Sequence, residues 1–365
     1  MKKIILLSIL AAAASSVAVA AYNYPTSGSG NYALDSDWSD GHVPTVSEAV
    51  AINNSAVVTL DEIGGDYKNA SMRIATLNTP ATGNNGAGTL IIKNGTITST
   101  TDVFVGFGAS TGLGTLIVGG SDTNDASLAS NTLNIGTSLG NGILNIGNNG
   151  KITTGAINMA YRSTTAGGTA ELNMEGNARL VGSSTMIMGW SGGQAQVDLK
   201  DNASIELTGR LSAGNTAGLV NKITLSDKAQ IKALDLAFRA TAEVKFIIED
   251  ADFAANITTT GGTTNFATGA KFIIDLSNYA FDGNAIDFTL MTLAGTVSTA
   301  PVFEYDFGAG LSAADLGIKV TDVASIWDAD TQKAIISITA IPEPSTYAAI
   351  LGALDRKSTR LNSSH

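Results

Sequence analysis

Few residues in this 365-residue chain could do chemistry. It has no cysteine and two histidines, His42 and His365. One histidine in the body of the chain and no thiol leave no His-based triad, no Cys nucleophile and no ordinary zinc site. His42 sits in Asp40-Gly41-His42-Val43-Pro44, a loop by its Gly and Pro, and a structural part is expected for it. Carboxylates are the remaining candidates: Asp198, Glu206, Asp227 and Asp235. A converging pair would protonate and attack a glycosidic bond, or hold calcium. Their spacing concentrates acid nowhere, and isolated charges on an outer face mainly confer solubility. The calcium-binding nonapeptide is approached only by Gly119-Gly120-Ser121-Asp122, which lacks its third glycine. The expectation is therefore no catalytic residue, no bound metal and no cofactor.

Aromatic residues offer a different chemistry. Phe107, Thr137, Tyr161, Trp190, Asn215 and Phe238 each follow a Gly or Ala that closes a short apolar segment. Were these segments stacked, Phe107, Tyr161, Trp190 and Phe238 would form an interrupted ladder along one edge. Such a ladder either stacks on sugar rings or stiffens a corner, and packing is the expected role.

The elements that would position these residues repeat. Leu90-Ile91-Ile92, Leu116-Ile117-Val118, Leu144-Asn145-Ile146, Leu172-Asn173-Met174, Val197-Asp198-Leu199 and Ile223-Thr224-Leu225 begin 26, 28, 28, 25 and 26 residues apart. Outer positions are apolar, and the middle one becomes polar in the later units. This alternation puts the outer pair on one buried face of a strand. Six residues on comes another apolar position, Ile152, Leu180, Ile205 or Ile231, after turns such as Gly147-Asn148-Asn149-Gly150 and Asp201-Asn202. A further strand recurs as Val103-Phe104-Val105-Gly106, Leu133-Asn134-Ile135-Gly136, Ile157-Asn158-Met159-Ala160, Met186-Ile187-Met188-Gly189 and Leu234-Asp235-Leu236-Ala237. Coils of this length containing several short strands predict an all-β, right-handed parallel β-helix, or β-solenoid. The repeats resemble the passenger-type β-helix repeats of autotransporters and of PEP-CTERM surface proteins, over roughly 50–340. No barrel of at least eight alternating strands, which an autotransporter would require, is encoded here.

The flanks divide accordingly. Residues 21–48, with Asp37-Trp38-Ser39-Asp40, read as an N-terminal cap that shields the first rung. Residues 49–242 carry the repeats, and 243–340 the last irregular coils and a closing β cap. Lys2 and Lys3, the apolar run 4–14 and Ala18-Val19-Ala20 form a secretory signal peptide over 1–20. Near the other end, Pro342-Glu343-Pro344 precedes the apolar run 348–354. This resembles a truncated PEP-CTERM sorting signal over 341–354. The resemblance implies an exosortase as processing partner, a Gram-negative producer, and residence at the cell surface or in an extracellular polysaccharide matrix. It also implies membrane attachment only through a C-terminal helix that is missing here. Residues 355–365 resemble translated sequencing adapter and are expected to be an artefact.

With 1–20 and 355–365 removed, 16 basic residues face 31 acidic ones, a net charge near −15. Such a surface repels nucleic acid, so none is expected as partner. The expected function is structural or adhesive, without enzymatic activity. The alternative is a polysaccharide-binding or polysaccharide-degrading β-helix.

Overall fold

Alternation of period two, broken by turn residues every few positions, makes each repeat three short strands joined by corners. The computed structural model describes residues 22–76, 86–108, 112–120, 126–161, 168–214 and 218–341. One turn shows the plan. Met186–Met188 lies on a first face, Gln194–Leu199 on a second and Ser204–Leu207 on a third, and Leu211–Ala213 then returns to the first. From Tyr22–Asn23 to Phe303–Asp306 the strands pair in parallel with their equivalents in neighbouring turns, giving a β-solenoid of about nine turns.

The observed register matches the spacing on the second and third faces. Leu90, Leu116, Leu144, Leu172, Val197 and Ile223 are successive partners on the second face. Ile152, Leu180, Ile205 and Ile231 are partners on the third. All ten are buried. Each large aliphatic taken out of water contributes roughly 1.5–3 kcal/mol. One continuous core from Tyr32 to Ile338 thus holds together a chain without disulfides.

Polar side chains also form ladders. Asn173 donates to the Asn145 amide oxygen (2.9 Å) on the second face, and Asn158 to that of Asn134 (2.9 Å) on the first. Parallel in-register stacking sets identical amides one above another, so each finds its partner in the next turn.

At the corner after the first face, the chain turns through left-handed backbone. Gly136 and Gly189 have φ of 61° and 70°, and Ala160 takes the same place at 49°. A methyl group on Gly136 would lie 1.9 Å from the Thr169 carbonyl oxygen. The small residue closing these three first-face strands therefore answers to its left-handed φ and, at Gly136, to the close approach of the next strand.

The structure places both ends more finely. Tyr22–Asn23 pairs with 49–50 and Ser29–Asn31 with 57–59, so the segment read purely as a cap already contributes two strands. Its loop supplies the cap itself. Trp38 is buried, stands edge-on to Tyr32 at 5.0 Å, and donates from Nε1 to the Tyr32 carbonyl (2.9 Å). Towards the C-terminus, parallel register runs through 242–243 without a break and continues to Phe303–Asp306. The closing cap begins after that strand. Its last strand, Lys333–Ala340, lies antiparallel on Ile286–Thr292 and occupies that edge. An unpaired edge there would be open to other strands.

Candidate functional site

The four carboxylates singled out in the sequence are not brought together. Asp198 lies outward on the second face, where Gln196 donates to it (2.6 Å). Glu206, on the third face, pairs with Arg179 at 2.6 Å. Asp227, at the corner between those faces, accepts the Asp201 amide (3.1 Å). Asp235 lies at the opposite corner, buried, and binds Arg210 through both oxygens. The Arg210 hydrogen bonds hold its carboxyl below the usual range although burial pushes the other way. Each acid thus has a local structural partner. Among the described residues, no three acidic or histidine side chains converge as metal ligands.

His42 lies in the N-terminal capping loop, with Nδ1 at 3.0 Å from the Val43 carbonyl and Nε2 at 3.4 Å from Glu48. The Val43 carbonyl, followed by nearby carboxylates, raises its pKa.

The aromatic ladder needs one correction. Phe238 is not in it. Leu236, rather than Leu234, partners Leu211, so Phe238 pairs with Ala213 and Phe266 and points into the core at 2% exposure. It packs against Phe266 and Phe272 and cannot meet a ligand. The place assigned to it falls two residues late because Leu234, Leu236 and Phe238 are all apolar at period two. Pattern alone cannot choose among them, whereas the ion pair with Arg210 fixes the buried Asp235 at the corner.

Phe107, Tyr161 and Trp190 are half-buried at the expected corner, and Thr137 is buried among them. They do not form one stack. No two of the three rings are in contact, although Tyr161 and Trp190 belong to adjacent turns. Trp190 begins a short 3-10 turn, Trp190–Gly192, and is covered instead by the Arg239 guanidinium, 4.0 Å from its ring centroid. Phe107 packs on Phe104 at 4.8 Å. Asn215 and Pro342-Glu343-Pro344 lie outside the described residues, as do the segments 1–20, 342–354 and 355–365.

Two surfaces were not anticipated. The outward column Ile117, Asn145, Asn173, Asp198 and Thr224 floors a groove of about 680 Å³ that spans five turns of the second face. Nearer the N-terminus, the Arg73 guanidinium lies 5.2 Å from the Tyr22 ring centroid and 5.5 Å from those of Phe104 and Phe107. The available signal was an outward arginine in Ser71–Thr76, one rung from Phe104. It was unreadable until the register of that strand was known.

Among the described residues, no helix is long and apolar enough to cross a membrane. Comparison of the chain with protein-family models, curated proteins and solved structures gave no match in any of the three.

Proposed function

We propose that this chain is an exported, exosortase-sorted β-solenoid with a structural or adhesive role at the cell surface or in the extracellular polysaccharide matrix of a Gram-negative bacterium. The observation that carries most weight is the unbroken parallel stack closed at both ends, by the Trp38 loop and by Lys333–Ala340. Such a body is a stiff rod that presents long, regular faces and no free edge at the capped strand. Asp198, Glu206, Asp227 and Asp235 are engaged one by one in within-strand, corner and cross-rung bonds, an arrangement that serves the scaffold. The N-terminal signal and Pro342-Glu343-Pro344 supply the route of export.

The second-face groove favours a binding version of the same reading. Beyond Ile117 its floor presents two amides, a carboxylate and a hydroxyl in succession at about 4.8 Å spacing, in reach of successive hydroxyls on an extended glycan. The test is sedimentation of the purified protein with washed matrix from the producer. Retention that resists salt but is released by glycan-degrading enzymes supports the reading. A protein left in the supernatant at all ionic strengths, or one that releases new reducing ends, contradicts it.

A further inference from the structure

Of the four described arginines, two meet carboxylates, and Arg239 covers a single ring, that of Trp190. Arg179 pairs with Glu206 and Arg210 with Asp235. Arg73 does not. Among the described residues, no acid pairs with it and no group accepts a hydrogen bond from it, and its Nε is buried without a partner. In place of an acid it has three half-buried rings, Tyr22, Phe104 and Phe107. Tyr22 comes from the opening turn and Phe104 and Phe107 from one strand, Asp102–Phe107, so rings and arginine converge only through stacking.

For a chain with so large an acidic excess, leaving a guanidinium unpaired wastes an available partner. A buried donor without an acceptor also costs stability. The rings hold the planar group in place through cation–π contact. With Nε packed among them, the terminal Nη donors are left to meet a ligand. That fork matches a carboxylate bidentately. Beside it, the aromatic rings offer an apolar surface for the C–H face of a sugar. One ligand class presents both features in a single residue.

We propose that Arg73, Tyr22, Phe104 and Phe107 form a binding site for a uronic acid unit, with Arg73 on its carboxylate and the rings against its sugar ring. This deepens the proposed function and rests on its placement of the protein in a polysaccharide matrix. The acidic remainder of the surface would repel a polyuronate at long range, so selectivity comes from this cradle rather than from net charge. Lysine at position 73 keeps the charge but loses the fork and the stacking plane, and therefore binds more weakly.

Calorimetric titration of the purified chain with trigalacturonate and with neutral maltotriose tests the site. Wild type binds trigalacturonate in preference to maltotriose. R73Q weakens that binding at least tenfold, F104A weakens it, and R73K falls between wild type and R73Q. Equal affinity for both sugars, no binding of trigalacturonate, or an R73Q variant that is folded and binds as wild type does would each overturn the proposal. Should R73Q not fold, the wild-type protein decides alone. The Nε–H resonance of Arg73 shifts on adding methyl glucuronoside and stays in place with methyl glucoside. A resonance that ignores glucuronoside refutes the site. Failure here, in a protein still recovered from the matrix, removes only this site. Uronate binding by a protein that never reaches the matrix instead removes the proposed function.

Discussion

Arg210 and Asp235 bind side by side across adjacent turns, Nε to Oδ1 at 2.5 Å and Nη2 to Oδ2 at 3.0 Å. Asp235 also accepts the Thr263 amide (3.1 Å), so one buried carboxylate joins three successive turns at a corner. Arg210→Ala would strand that carboxylate. We expect a loss of about 2 kcal/mol in chemical denaturation, at the low end for a buried pair because the guanidinium is half exposed.

The same pair sets a pH dependence. The Arg210 bonds lower the Asp235 pKa in the folded state. Its contribution is therefore present above the unfolded carboxyl value, about 3.9. It is lost as pH falls through the folded value. The stability gap between wild type and Asp235→Asn, measured by thermal melts, should be wide at neutral pH and close below about pH 4. A gap of constant size from neutral pH to pH 2 would show that the carboxylate's charge contributes nothing.

Inward and outward positions predict an asymmetry. Leu172→Ala opens a cavity in the core and should cost about 3 kcal/mol. Asn173→Ala, one residue on, breaks a half-buried amide ladder on the outward face and should cost under about 1 kcal/mol. Equal losses by urea titration would contradict the register.

Gly136→Ala meets two obstacles, a left-handed φ and a carbonyl oxygen 1.9 Å from the new methyl group. A loss above about 2 kcal/mol is expected, since the left-handed backbone alone costs about 1–2 kcal/mol. A melting temperature equal to that of wild type would mean that this corner is free to shift.

How much of this was readable depends on how local the signal was. The second and third faces were legible because Leu144, Leu172 and Val197 repeat at spacings that stacking preserves. The opening turn was not, since strands of two and three residues such as Tyr22–Asn23 and Ser29–Asn31 carry no alternation to read. Phe238 was misplaced by two residues because period two leaves register open along an all-apolar series. The Arg73 cradle draws on positions 22, 73, 104 and 107, which only the stacking of turns brings together. The antiparallel closing strand was visible as a strand in Lys333–Ala340, while its direction and its partner were set by the edge that it covers.

Cell fractionation of the producer, with antibody against the solenoid, tests the central claim most directly. The gene carrying Pro342, Glu343 and Pro344 is compared with one carrying alanine at all three positions. The account predicts that the unaltered protein is found at the cell surface or in the matrix, without residues 1–20, and that the alanine variant is depleted there and accumulates unprocessed. An unaltered protein retained in the cytoplasm, or a variant distributed as the unaltered protein is, would contradict it.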